Sequence, residues 1–175
     1  NDDAAVIDKP DYKSETGIFD IEALEALGRV TEPVVSPDGK KVLFGISYES
    51  VEQNTSNRDL YVVNVDGTDT QRITRSEKSE NNAVWIAGGE KIAFMYPVDG
   101  VAQMWVMNAD GSDRHAVSSV EGGISGFLLS PDESKVVMIG NVKYARTAED
   151  IYPDLPKATG RVVDDLMYKH WDEWV

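Results

Sequence analysis

The sequence predicts an all-β fold: a partial β-propeller of about three four-stranded blades, led in by a short helix. Two observations predict it. The first is a repeat. Lys41-Val42-Leu43-Phe44, Lys91-Ile92-Ala93-Phe94 and Lys135-Val136-Val137-Met138 align as three copies of one strand, 50 and 44 residues apart. A second motif recurs in phase: Leu60-Tyr61-Val62-Val63-Asn64-Val65-Asp66-Gly67 matches Met104-Trp105-Val106-Met107-Asn108-Ala109-Asp110-Gly111, again 44 residues apart. Periods of this size belong to solenoids, propellers and arrays. The second observation is that the inner runs are apolar at nearly every position, whereas a sheet with one wet face alternates. Strands covered on both faces are what stacked blades require. A β-sandwich would give short strands and many turns, but not two motifs in phase.

Turn chemistry sets the strands. In Ser36-Pro37-Asp38-Gly39, proline presets φ at the second position, Asp suits the third and Gly the fourth. Asp66-Gly67 and Asp110-Gly111 are hairpin signals between apolar runs. The first unit is expected to hold strands at 33–36, 40–47, 58–64 and 69–74, and the second at 82–86, 90–96, 102–108 and 113–118. Domain bounds follow: an acidic arm over 1–19, a helix and lead-in over 20–32, and blades at 33–80, 81–123 and 124–175.

Residues 1–25 carry eight acids and two lysines, and the aperiodic arm is expected to be mobile unless docked. Asp20 can cap a helix beginning at Ile21, with Ile21, Leu24 and Leu27 on one side and Gly28 as its stop. Polar Tyr48 to Asn57 explains the longer first spacing and is a candidate rim element, loop variation being the plainer reading. The third unit begins well at Gly126-Phe127-Leu128-Leu129-Ser130-Pro131-Asp132 and then departs from the pattern. Pro153 and Pro156 favour extended, edge or loop backbone. Arg161 to Tyr168 reads as a strand or a helix start. The Trp-rich end, Trp171 to Trp174, is expected to be buried, so the sequence is expected to stop inside a larger fold.

The 175 residues carry 31 acids against 17 bases, a net charge of −14. That disfavours nucleic acid and anionic lipid as partners. No apolar run approaches membrane-spanning length, so no membrane insertion is expected. The absence of cysteine excludes disulfides, thiolate metal sites and cysteine catalysis. A start at Asn1 rather than Met leads us to expect that a signal peptide or other upstream sequence was removed.

No chemistry is written into the chain. Gly123-Ile124-Ser125-Gly126-Phe127 lacks the last glycine of a nucleophile elbow. His115 and His170 have no zinc spacing, and His115 is expected at the surface of an outer strand. The loops at 64–69 and 108–113 resemble part of a calcium loop, but their glycine comes early and no glutamate closes them, so hairpin turns suffice. The expected catalytic, cofactor and metal sets are therefore empty.

With the repeat and tail described, the chain resembles the propeller repeats of the prolyl oligopeptidase family of serine peptidases, and also TolB-type propellers. Two stretches favour the peptidases. One is the lead-in Leu24-Glu25-Ala26-Leu27-Gly28-Arg29-Val30 with Pro33 and the Ser36 to Gly39 turn. The other is Asp164 to Trp174, which is similar to a His-Trp-Asp motif of the dipeptidyl-peptidase-five-like branch; acylaminoacyl-peptidases share the lead-in. The resemblance implies an N-terminal portion of a cap over a C-terminal α/β-hydrolase domain, which holds the catalytic triad and is not within this chain. It implies no enzyme activity for the chain alone, a secreted or periplasmic parent, and a role in gating and helping to bind peptide substrates. The alternative is a TolB-type protein-binding module. Open propeller edges also suggest self-association. Asp172 and Glu173 are candidate substrate-binding residues, since carboxylates suit a peptide's terminal ammonium. The other reading has them facing solvent or pairing with Arg161 or Lys169.

Overall fold

The computed structural model describes residues 6–15, 17–141 and 148–155. The chain divides into two compact units, 1–141 and 142–175. In the first, helix α1 (Ile21–Glu25) precedes β1 (Arg29–Val35), β2 (Lys41–Ser50), β3 (Thr55–Asn64) and β4 (Gln71–Arg72), which form one antiparallel sheet in sequence order. β5 (Asn81–Ile86), β6 (Lys91–Val98), β7 (Val101–Asn108) and β8 (His115–Ala116) form a second sheet of the same order. β9 (Gly126–Leu129) and β10 (Val136–Ile139) make the hairpin that opens a third. The second unit contains α2 (Ala148–Ile151) among its described residues.

The two-faced strands produce two cores. On β6, Ile92 and Phe94 pack with Leu43, Leu60 and Val62 of blade 1. The intervening Ala93 and Met95 pack with Ile124 and Phe127 at blade 3. Successive side chains of a strand point to opposite faces, so a strand apolar throughout serves both neighbours. Trp85 Nε1 also donates to the Val34 carbonyl across the first seam, at 3.0 Å.

Strands fall where turn chemistry put them, with shifted ends. β1 starts at Arg29, ahead of the expected 33, and the outer strands shrink to two residues each. The Tyr48 to Asn57 stretch is an extension of the β2–β3 hairpin, paired up to Ser50 and Thr55. His115 is exposed on β8, as expected. The turns at Asp66 and Asp110 use their own carboxylates: Asp66 Oδ1 accepts from Thr68 N and Oγ1 at 3.0 and 2.6 Å, and Asp110 Oδ1 accepts from Ser112 at 2.9 and 2.6 Å. Ser36 to Gly39 forms the expected turn, closed by Gly39 N to Ser36 O at 2.9 Å. In blade 2 its place is taken by a short 3₁₀ turn at Ala87–Gly89.

Asp20 caps α1 as expected, accepting from Ala23 N at 2.9 Å; the helix ends at Glu25, ahead of the expected stop at Gly28, and of its residues only Ala23 is buried, with Ile21, Leu24 and, beyond the helix, Leu27 exposed. The arm is docked at Ile7 and Asp8, as described below.

Gly67 and Gly111 occupy the same position in twin turns, with φ of +84° and +88°. A Cβ at Gly67 would meet nothing within 4 Å, whereas one at Gly111 would lie 2.1 Å from the Ile73 carbonyl oxygen. We expect Gly67→Ala to cost about 1–2 kcal/mol, the penalty of left-handed backbone, and Gly111→Ala to cost clearly more, because backbone must also move. Urea unfolding of both variants checks this.

Candidate functional site

The two sequence-designated residues, Asp172 and Glu173, lie outside the described residues. The described part offers a different candidate: a polar seam between blades 1 and 2 and a cleft at the rim above it.

The seam begins as a repeated clasp. Asp59 Oδ1 accepts from Ser76 N at 3.1 Å, while Thr74 Oγ1 accepts from Leu60 N at 2.8 Å. In blade 2, 44 residues on, Gln103 Oε1 accepts from Val120 N at 3.0 Å, while Ser118 Oγ accepts from Met104 N at 2.8 Å. Both ladders fasten the third strand of a blade to the chain leaving its fourth.

Blade 1 then adds charges that blade 2 lacks. Arg58 stands where blade 2 has Ala102, and Glu80 where the next repeat has Ile124. Buried Arg58 crosses the sheet over Gly45, whose absent Cβ leaves room for the guanidinium: a Cβ there would lie 2.0 Å from Nε. Its Nε donates to Thr31 Oγ1 at 2.9 Å, Nη1 to the Glu80 carbonyl at 2.6 Å, and Nη2 pairs with Glu32 at 2.7 Å. One side chain thus ties β1, β3 and the start of β5. Glu32 also accepts from Asn82 N at 3.3 Å, and Asn82 Nδ2 donates to the Phe127 carbonyl at 3.1 Å, so polar links run along the first strands of all three blades. Glu32 and Asn82 both have left-handed backbone, at bulges in those strands.

Glu80 is fully buried, with its Oε1 2.9 Å from Arg114 Nη1 and its Oε2 accepting from Thr74 Oγ1 at 2.9 Å. Burial raises its carboxyl pKa above the ordinary 4.5, against the lowering by Ser76, Arg114 and Thr74. Arg114 in turn lies over Tyr96, 4.0 Å from the ring centroid, with Phe94 and Trp105 at 5.0 and 5.5 Å. A weakly hydrated guanidinium suits such aromatic faces. Asp59, 3% exposed, holds Arg72 Nη2 at 2.6 Å.

At the rim, the β2–β3 extension, the link between β4 and β5, and Ile7 of the arm enclose a cleft of about 250 Å³. Gln53, Thr55, Ser56, Ser79 and Asn81 line it with amides and hydroxyls, beside Lys78. These groups can donate and accept hydrogen bonds along an extended main chain. Among the described residues no group of three or more His, Cys, Asp or Glu could hold a metal ion, and no helix is long and apolar enough to cross a membrane.

Sequence reasoning missed Arg58, Asp59, Glu80 and Arg114. A signal was present: in a repeat, Arg58 and Glu80 replace apolar residues at positions whose neighbours bury both faces.

Residues 20–153 match the family model described as TolB beta propeller domain, and the chain belongs to that family. Within it the similarity points to peptidases. The chain is 49% identical over 154 residues to Dipeptidyl-peptidase 5 of Porphyromonas gingivalis, covering 88% of this chain and 22% of that protein. It is 36% identical over 162 residues to Dipeptidyl-peptidase 5 of Porphyromonas endodontalis, covering 93% and 23%. The chain thus spans less than a quarter of the length of these curated relatives. Among solved structures, an acylaminoacyl peptidase of Pyrococcus horikoshii aligns with a TM-score of 0.57 at 16% identity, over 70% of this chain and 19% of that one. A putative TolB from Agrobacterium tumefaciens aligns with a TM-score of 0.50 at 24% identity, over 61% and 36%. Both alignments show the fold. The two Dipeptidyl-peptidase 5 matches support the propeller portion of a peptidase, as the sequence resemblance implied.

The buried carboxyl generates a test. A pKa raised on folding means the folded chain holds that proton more tightly, so the contribution of Glu80 to stability is best in acid and declines as pH rises from the ordinary value through the raised one. We expect wild type to lose stability relative to Glu80→Gln as pH rises above the ordinary carboxyl value of 4.5. Parallel profiles of urea midpoints would contradict the assignment.

Proposed function

We propose that the chain is a non-catalytic propeller portion of a secreted or periplasmic serine exopeptidase, of dipeptidyl or acylaminoacyl type, that gates peptide substrates and helps to bind them. The observation that carries this reading is 49% identity with a dipeptidyl-peptidase over 88% of the chain. In this reading its main partner is a C-terminal α/β-hydrolase domain of the same parent chain, which supplies nucleophile, base and orienting acid. The division into arm 1–19, lead-in 20–32 and blades 33–80, 81–123 and 124–175 belongs to the same proposal. Half-buried Phe44 and Tyr61, stacked at 5.8 Å on the face of blade 1 turned away from blade 2, await another blade or a second copy of the chain. The match to the TolB propeller model favours a second reading, a protein-binding module without chemistry.

Asp172 and Glu173 are proposed to meet the substrate's terminal ammonium. We expect the isolated chain to release nothing from a chromogenic dipeptide substrate, and the parent protein to cleave it. In the parent, Asp172→Asn or Glu173→Gln should reduce the preference for a free over an acetylated amine about ten- to hundredfold, the scale of one lost charge-assisted hydrogen bond. Unchanged preference in both variants overturns the role of these acids. A parent without peptidase activity favours the binding module.

A further inference from the structure

The arm's point of attachment is selective in a way its composition does not require. Among the described residues of 6–15, Ile7 alone is buried, at 6% exposure. The next residue, Asp8, is exposed, yet its carboxylate is held by two arginines: Arg75 Nη2 donates to both oxygens at 2.7 and 2.6 Å, and Arg72 Nη1 donates to Oδ1. Arg72 also reads the main chain, donating from Nη2 to the Ile7 carbonyl at 3.2 Å. One site therefore recognises an aliphatic side chain, a backbone carbonyl and a carboxylate on consecutive residues.

The site is preorganised from beneath. Asp59, itself buried, pairs with Arg72, and Arg72 Nε donates to the Thr74 carbonyl at 3.1 Å, so the guanidinium is oriented by the blade rather than by its ligand. Arg72 is largely buried while Arg75 is 66% exposed, giving one fixed and one adaptable arm. Arg72 Nη1 and the exposed Arg75 present a cationic site on a chain of net charge −14, and charge complementarity selects an acidic occupant.

We propose that Arg72 and Arg75 form a docking site for an extended peptide segment in which an acidic residue follows an aliphatic one, and that Ile7-Asp8 of this chain occupies it in cis. Tethering gives the arm a high effective concentration, so a weak dipeptide anchor suffices, and a free segment of the same chemistry displaces it by mass action. Because Ile7 also lines the rim cleft, displacement removes one of the cleft's walls.

The test uses the whole 175-residue chain and its lack of cysteine. Val6→Cys provides a unique labelling point beside the anchor, read by the anisotropy of an attached fluorophore. The arm should be held in the otherwise unaltered chain and released by Asp8→Asn or Arg75→Ala, both outside the buried network. A capped synthetic peptide with the sequence of residues 6–10 should lower the anisotropy of the labelled chain, and the same peptide with Asn for Asp should be at least tenfold weaker. Anisotropy unchanged by both substitutions, or equal competition by the two peptides, would overturn the proposal.

Discussion

The structure depends on burying both faces of β6. Phe94 and Ile92 enter the core shared with blade 1, and Ala93 and Met95 enter the core shared with blade 3. A blade cannot bury its apolar faces by itself, and stacking on its neighbours makes a continuous core. Each sheet gains its stability from the next, which is why the repeat is the unit of both sequence and structure. The alternation along β6 imposes a constraint. A slip of one residue would exchange the two cores and set Phe94 where Ala93 fits.

Polar groups act on this stack in two ways. The clasp of Asp59 and Thr74, echoed by Gln103 and Ser118, belongs to every complete blade and closes the outer edge. The ions of the first seam do not repeat. Arg58 and Glu80 stand where the next repeat has Ala102 and Ile124, and with Arg114 they put hydrogen-bonded charge into the seam, where loss of one partner leaves another buried and unpaired. Directional bonds across this seam tie blade 1 to blade 2: Arg58 reaches the Glu80 carbonyl, and Glu80 meets Arg114.

Much of this was legible in the sequence. Lys41, Lys91 and Lys135 mark the second strand of each blade, and Asp-Gly pairs mark the hairpins, because turn backbone depends on local residue type. Outer strands were overestimated, since their length is set by the neighbour they pair with: β4 and β8 each pair over two residues. The seam charges were not legible as a network, because Arg58 and Glu80 look like surface residues until the fold brings residues 22 apart to one point. The docking of Asp8 on Arg72 and Arg75 spans more than 60 residues and leaves no periodic trace. The tail acids Asp172 and Glu173 stand on resemblance and chemistry, outside the described residues.

Inter-blade burial, rather than strand propensity, holds the described blades together. Phe44 and Phe94 test it most directly, since they occupy equivalent positions in β2 and β6. Phe94 is fully buried between blades, while Phe44 is half-buried on the open face against Tyr61. Urea unfolding of Phe94→Ala should show a loss of about 3–5 kcal/mol. Phe44→Ala should cost far less, near the about 0.5–1.5 kcal/mol of one aromatic pair plus partial burial. Equal losses in the two variants would contradict the account.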